Sequence, residues 1–434
     1  MDTSKNVQST QVDTTKSSQS PVSSQSLDGS QRKEQMTTNN KQRTHSVKTK
    51  LIVSLVLLLV YVDLTVILGN GTQIAEWFAR NFSRGWIAVW GTLTGWLPFS
   101  MYELFLIFAI VAAVVGVVFV IVWLCKRKWM RAASLVLTVC ICVTSFLTVY
   151  NVTAGYAYRR ESLPSQVYAA QDPNKFDRDS AIALAQLVVD ELNAAYEQTS
   201  HDSNGNVVLP SVAQMQSDIA EEYKRIDGAK CDGYFSPYNP SVKTIVNKWA
   251  MSQMHIVGVF FAPFGEANVN PNENNYNLPH SMAHEMAHGK GVMRENEANL
   301  VASYLLLTSD KPYLRYSALM KVYGSAISLV AMYPNTNDVV VLLRSSVRSE
   351  IYAEMSNYNK FWSQFTLVGD IGKWFNDIYL KFNKQQDGSG SYVKPPVSEN
   401  TGKKDDDGDE IVRIVSFSDT QSLLVMLYKQ GWLA

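Results

Sequence analysis

The stretch of sequence that decides the C-terminal part of the fold is LPHSMAHEMAHGKGVMRENEANL, residues 278–300. Apolar residues at helical spacing, a proline in the first turn and two glycines at the end predict a helix over residues 278–290. The pattern that follows predicts a second helix over residues 294–307. Because glycine permits a tight turn between them, we expect the second helix to fold back over the first.

The first of these helices contains the pattern H-E-x-x-H, formed by His284, Glu285 and His288. Positions four apart lie on the same face of a helix, so both imidazoles can reach one metal ion. Glu285 is then expected to lie beside a water molecule bound to that ion. This pattern is typical of zinc peptidases. A surface helix that happens to carry two histidines is the alternative.

A catalytic zinc ion usually has three protein ligands. Three histidines along one helix do not converge easily on one ion, so His280 is expected to support the ligands rather than to bind zinc. Asn299, on the second helix, is expected to have a similar supporting role. Glu297 shares its helix face with apolar residues three, four and seven positions later, which predicts an inward carboxylate and makes it the expected third ligand. Glu295 is expected on a more exposed face.

Three long apolar runs precede this region, at residues 51–68, 104–125 and 132–150, with Asp63 as their one charged residue. About 20 residues at 1.5 Å each match a hydrocarbon core of about 30 Å, so the runs predict three transmembrane helices within residues 48–150. Buried helices of a soluble protein are the alternative. The loop at residues 71–103 carries four tryptophans, which suits a segment at the outer membrane interface.

The charge distribution orients these spans. Residues 1–50 hold eight basic and four acidic residues, and four more basic residues lie at 126–131. The positive-inside rule therefore predicts a cytoplasmic N-terminus and an extracytoplasmic domain at residues 151–434. Residues 1–47 are polar throughout, which predicts a disordered cytoplasmic tail, with a cytoplasmic partner as one use for it.

Composition excludes several classes of function. The 39 basic and 39 acidic residues cancel, which argues against nucleic-acid binding. Four cysteines in 434 residues exclude a small disulfide-stapled scaffold. The low charged fraction of 18% agrees with a membrane part.

The outer domain is predicted to be mainly α, with some β structure (α+β). Further helices are predicted at residues 180–198, 212–226, 313–332, 361–382 and 419–429. Strands are predicted at 255–261 and 411–417, and loops at 268–276 and, with an acidic insertion, at 387–410.

We expect the substrate to bind near the first predicted strand, because an edge strand can pair with an extended peptide. His255, Tyr276 and Tyr304 are candidate oxyanion donors, with packing roles as the alternative. Three polar residues after the strand either line the cleft or form turns: Glu266, Asn268 and Asn270.

The chain resembles the bacterial family known as domain of unknown function 3810, a set of three-span membrane proteins with a zinc-peptidase-like (zincin-like) outer domain. The resemblance rests on residues 278–300 and on four further blocks: GWLPFSMYELF, GVFFAPFGEANVN, SDKPYLRYSALM and FNDIYLKFNKQQDGSGSY. It implies a bacterial cell-membrane setting and a zinc site at His284, His288 and Glu297. The triplet E-A-N at 297–299 also resembles the second helix of other short-spaced zinc peptidases, which again implies Glu297.

The expected function is that of a membrane-anchored zinc metallopeptidase that hydrolyses peptide or protein substrates outside the cell, with one Zn²⁺ and with Glu285 as general base on a zinc-bound water. The alternative is a non-catalytic, zinc-stabilised sensor, scaffold or cell-wall-binding membrane protein. Intramembrane proteolysis is disfavoured because polar residues flank the motif: Asn277, Lys290 and Arg294.

Overall fold

The computed structural model describes residues 29–67, 71–226, 231–273, 275–366, 395–404 and 410–431, and isolated positions between 372 and 392. The N-terminal part has five α-helices: α1 (Gly29–Val62), α2 (Thr72–Phe78), α3 (Arg84–Gly95), α4 (Met101–Cys125) and α5 (Trp129–Tyr150). Short π-helical turns extend α1 to Ile67 and α5 to Gly155, and another joins α2 to α3.

Three of these helices are long and apolar enough to cross a membrane, at Lys33–Val66, Met101–Cys125 and Trp129–Gly155. The prediction of three long apolar helices in this part of the chain is therefore confirmed. Both α1 and α4 pack against α5. The predicted disorder is wrong for residues 29–47, which belong to α1, while residues 1–28 lie outside the described part of the chain.

The segment between the first two apolar helices is itself helical and packs on the part of the chain that follows the third, which we call the outer domain after its predicted location. At its buried Gly91, a Cβ atom would lie 2.8 Å from the carbonyl oxygen of Gly265, so the two backbones approach each other closely. The Trp86 indole donates to the carbonyl of Pro263 (3.0 Å), and the Thr94 hydroxyl donates to that of Phe264 (3.1 Å). The sequence predicted an interfacial loop here, without this docking.

The outer domain has nine further α-helices whose bounds are described: α6 (Arg178–Glu197), α7 (Val212–Ile226), α8 (Lys248–Gln253), α9 (Leu278–Gly289), α10 (Glu295–Leu307), α11 (Pro312–Val330), α12 (Asn337–Ser345), α13 (Ser349–Trp362) and α14 (Asp419–Lys429). The predicted bounds of α7 and α14 are confirmed. At the centre, α11 packs against α6, α9, α10 and α14. Consequently α9 and α10 are buried on nearly all sides.

A three-stranded sheet covers α9. It contains β1 (Val242–Thr244), β2 (Gly258–Phe261) and β3 (Glu266–Val269) in the order β1-β3-β2, so β2 is an edge strand. β1 pairs with β3 in parallel, and β2 pairs with β3 antiparallel. The predicted strand at 255–261 is too long, because His255 lies in a turn with φ of 53°. The predicted loop at 268–276 begins too early, since β3 includes residues 268 and 269.

The C-terminal region departs most from prediction. Helix α13 ends at Trp362, so no single helix spans residues 361–382, although the described positions from 372 to 381 are helical. A two-stranded antiparallel ribbon joins β4 (Val397–Lys404) to β5 (Glu410–Ser416). β4 replaces part of the predicted loop at 387–410, whose residues 405–409 are outside the described residues.

Candidate metal centre

The two histidines of the H-E-x-x-H pattern lie on one face of α9, with their Nε2 atoms 3.1 Å apart. His284 Nδ1 is 2.9 Å from Asn299 Oδ1, and His288 Nδ1 is 2.7 Å from the carbonyl of Val292. Each of these oxygens accepts a hydrogen bond, so each Nδ1 carries its proton. In the neutral imidazoles, both Nε2 lone pairs are then left facing the same point.

The carboxylate that joins them comes from Glu295, not from Glu297. Glu295 Oε2 lies 3.1 Å from His284 Nε2 and 3.5 Å from His288 Nε2. Glu297 is bound instead by Arg294, at 2.6 Å. The structure therefore places Glu295, at the start of α10, in the position that was predicted for Glu297.

Gly291 makes this arrangement possible. Its φ of +95° is a left-handed conformation that a residue with a side chain rarely adopts. The turn it forms between α9 and α10 brings the first residue of α10 back to the last two turns of α9. The expectation that the second helix folds back over the first is confirmed.

These three residues form the one group in the described residues that could hold a metal ion, with ligand atoms all within 4.8 Å of one another. Three acceptor atoms that face each other repel unless a cation lies between them. Burial opposes a charge on His288, but Glu295 outweighs it and raises the pKa of His288 to about 9. The cluster therefore attracts one positive charge, either a proton or a metal ion, and two imidazoles with one carboxylate are a donor set that zinc accepts.

Comparison with known proteins adds the family. The family model described as "Protein of unknown function (DUF3810)" matches residues 78–396. The chain belongs to the DUF3810 family. No curated protein and no solved structure matches it. The family match includes the linker helix α3, the apolar helices α4 and α5, and the whole candidate metal centre of this DUF3810 protein.

Glu285, the second residue of the pattern, is buried beside the ligands. Its Oε2 meets no hydrogen-bond partner among the residues described in this DUF3810 protein. Burial raises the pKa of Glu285 to about 8, although the charge of His288 opposes the shift. A carboxyl group with a raised pKa and a free oxygen is suited to accept and return a proton near neutral pH.

Gly258, which the sequence analysis did not single out, lies at the start of the edge strand and directly against Glu285. A Cβ atom on Gly258 would lie 2.8 Å from the carboxyl carbon of Glu285, closer than real side chains approach. Only glycine lets β2 pass this close to the carboxylate. The signal in the sequence was a glycine inside a strand pattern, which often marks a close approach of the backbone.

Two predicted supporting residues lie close to the ligands. Asn299 holds His284 as described, and its Nδ2 donates to the carbonyl of Tyr392 (3.1 Å), which fixes the orientation of the amide. The ring of Tyr392 also stacks on His284, with centroids 6.4 Å apart. His280 is fully buried and its Nε2 lies 3.0 Å from the hydroxyl of Ser303, so it packs α9 against α10.

The candidate oxyanion donors are placed elsewhere. His255 contacts the carbonyl of Phe365 through Nε2, and the ring of Tyr276 packs on that of Tyr358. Tyr304 lies near Arg225 and Cys231, on the far part of α10. The structure brings none of these three side chains to the ligands.

The polar residues of β3 are structural in the main. Glu266 accepts hydrogen bonds from the backbone amides of Met101 and Tyr102 (2.9 and 3.1 Å) and pairs with Lys243. Asn270 donates to Ser252 and so holds the turn after β3. Asn268 is fully buried in the sheet.

Proposed function

We propose that this protein is a membrane-anchored metallopeptidase that hydrolyses peptide bonds outside the cell. The observation that carries the proposal is the convergence of His284, His288 and Glu295 on one point, with the buried Glu285 beside them. The donor set favours zinc. An H-E-x-x-H helix, a following glutamate and an edge strand over the helix together support a zincin-like domain.

The residues of the chain divide the chemistry between them. When bound, zinc supplies a Lewis acid that polarises the scissile carbonyl and acidifies water. Glu285 removes a proton from the attacking water and delivers it to the leaving amine. Asn299 and the carbonyl of Val292 keep the two imidazoles turned toward the ion.

The open edge of β2 supports a peptide as the substrate. β3 occupies one side of β2, and the sheet order leaves its other side unpaired within the described strands. An extended chain can add to such an edge through main-chain hydrogen bonds, largely independent of its sequence. Because Gly258 lies against Glu285, a peptide on this edge would pass the catalytic carboxyl group.

The membrane orientation is part of the proposal. The basic residues of α1 and of the turn between α4 and α5 support a cytoplasmic N-terminus. Arg160, just after the third span, would count against this orientation as a free charge. It is paired with Glu76 at 2.7 Å, so its charge is compensated.

The test uses the full chain, purified in detergent with zinc, and compares wild type with Glu285→Gln. We expect stoichiometric zinc in both proteins and cleavage of a peptide library only by wild type, with a rate loss in the variant of about 10² to 10⁴. Equal zinc without any Glu285-dependent cleavage would contradict the proposal and would favour the non-catalytic zinc protein.

A further inference from the structure

We propose that the substrates of this site are membrane-tethered chains, cut within about ten residues of the bilayer surface. This inference rests on the proposed function, and names the class of substrate for that site. Three observations carry it: the packing of the edge strand on the apolar helices, the short distance from Glu285 to the first turns of α4, and an exposed apolar face on the linker helix α3.

The edge strand β2 contacts Glu285 at one end and packs against the apolar helices at the other end. Its first residue, Gly258, lies against the carboxyl group. Its last residue, Phe261, lies among aromatic rings of α4 and α5. The ring centroid of Phe261 is 5.1 Å from that of Tyr102, 5.6 Å from that of Phe105 and 6.1 Å from that of Phe146. Tyr102 and Phe105 belong to the first turns of α4, at its outer end.

The distance follows from strand geometry. Gly258 and Phe261 are three residues apart, or about 10 Å at about 3.3 Å per residue. The ring contacts of Phe261 add about 5 Å, so Glu285 lies roughly 15 Å from the first turns of α4. An extended chain covers that distance in about five residues.

Buried polar contacts make this attachment rigid. The carboxylate of Glu266, on the strand paired with β2, accepts hydrogen bonds from the first two amides of α4. Lys243 of β1 pairs with Glu266 and also donates to the carbonyls of Thr94 and Phe99. The sheet, the linker and the second span are therefore fixed to one another by groups shielded from water.

The linker helix α3 exposes an apolar face while its opposite face packs on the outer domain. Val89, Leu93 and Trp96 are 58%, 56% and 76% exposed, and no charged residue follows Arg84 in this helix. The π-helical turn before α3 packs on the end of the third span, where the Ser83 hydroxyl donates to the carbonyl of Val152 (2.6 Å). This contact holds α3 next to the end of the third span, so we assign the bilayer interface as the occupant of its exposed face.

A site fixed at this height selects among substrates by geometry. A chain that leaves the bilayer passes the edge of β2 within its first few extra-membrane residues. A folded soluble protein would have to bring an extended segment down to the membrane surface. Strand pairing recognises mainly the backbone of the substrate and therefore provides little selectivity. The height of the site above the bilayer supplies the selectivity instead.

The experiment co-reconstitutes the full chain and zinc in phosphatidylethanolamine–phosphatidylglycerol vesicles with designed substrates. Each substrate carries a randomised peptide cassette and a reporter, joined to a transmembrane helix by a spacer of about five or about forty residues, or left without an anchor. The two anchored forms share the same tethering, so their comparison removes the gain in effective concentration. Glu285→Gln is the inactive control.

We expect Glu285-dependent cleavage of the short-spacer substrate to be roughly tenfold or more faster than that of the other two. Equal cleavage of the long-spacer or free substrate would overturn the inference and leave the peptidase proposal intact. No Glu285-dependent cleavage of any substrate would overturn both.

A second variant separates position from catalysis. Val89→Glu with Leu93→Glu places two charges on the exposed face of α3, far from the ligands in sequence and packing. We expect this variant to lose the preference for the short spacer and to keep the cleavage rate of the free substrate. Val341→Glu with Leu342→Glu, at equally exposed positions of α12, is the matched control and keeps the preference. If neither variant loses the preference for the short-spacer substrate, the role proposed for α3 is contradicted.

Discussion

Glu295 and Glu297 are two residues apart on α10, and both side chains are buried, yet only Glu295 faces the histidines. We expect Glu295→Gln to reduce zinc affinity by about 10²-fold or more, because it removes a charged ligand. Glu297→Gln should keep the affinity and lower the thermal stability, since Arg294 loses its partner. Competition with a chromophoric chelator measures both, and the reverse ranking would restore the sequence-based assignment.

The choice between these two glutamates shows where sequence reasoning failed. A helix with one buried and one exposed face would separate the two carboxylates, but α10 is enclosed by α7, α9, α11 and α14. An inward direction therefore did not distinguish the carboxylates. The usable signal was the spacing of Glu295 and Asn299, four residues apart on one face, because both contact His284.

Asn299 is expected to act on the metal through His284. Its Oδ1 fixes the Nδ1 proton of that imidazole, so Asn299→Leu should lower zinc affinity by about 10 to 100-fold. Asn296→Leu is the matched control on the same helix, because Asn296 donates to Asp419 and not to a ligand. Equal affinity loss in the two variants would show a general effect on folding instead.

At the level of elements, the contact between β2 and α9 sets the space around the carboxyl group of Glu285, the proposed general base. Gly258→Ala places a methyl group against Glu285, and we expect hydrolysis to fall by about 10²-fold with zinc content unchanged. Gly324→Ala introduces the same methyl group into α11, where nothing lies within 4 Å, and should have no effect. Full activity of Gly258→Ala would contradict the placement of the strand.

Helices with a strong apolar periodicity could be predicted from the sequence, whereas strands that depend on pairing with a distant strand could not. Helices α7 and α14 have the predicted bounds because their apolar stripes and capping residues act locally. Strand β4 was predicted as loop because its sequence, VSENTGKK, is polar, and its pairing with β5 supplies what the composition lacks. The strand at 255–261 was predicted too long because the turn at His255 has no signal in an apolar run.

At the scale of the whole molecule, a buried ion pair links the linker to the outer domain. Burial favours the neutral form of Glu76, but Arg160 and Arg80 outweigh it and lower the pKa of Glu76 to about 2. The ionised form is therefore stabilised in the folded state. This contribution is present above the ordinary pKa of 4.5 and is lost as the pH falls through about 2.

Glu76→Gln should accordingly destabilise the protein at neutral pH, and the difference from wild type should shrink as the pH falls from about 4.5 toward 2. Thermal unfolding midpoints of both proteins, measured in detergent at about pH 7 and about pH 3, test this. A difference of the same size at both pH values would mean that the charge of Glu76 does not contribute.

The orientation of the chain gives a further prediction for the whole molecule. With tags at both ends, external protease added to intact cells is expected to remove the C-terminal tag and to leave the N-terminal tag protected. Permeabilised cells should lose both tags, which controls for the accessibility of each tag. A protected C-terminal tag in intact cells would place the metal centre in the cytoplasm.

The docking of the linker helices also fixes an order of events during biogenesis. Trp86 leaves the ribosome 177 residues before Pro263, the residue whose carbonyl it binds. At about 5–20 residues per second, this interval is roughly 10–35 s. During that time α3 lacks the carbonyl groups of the outer domain to which Trp86 and Thr94 donate. Docking of the outer domain onto α3 is therefore a late step, completed only after Phe264 has been synthesised.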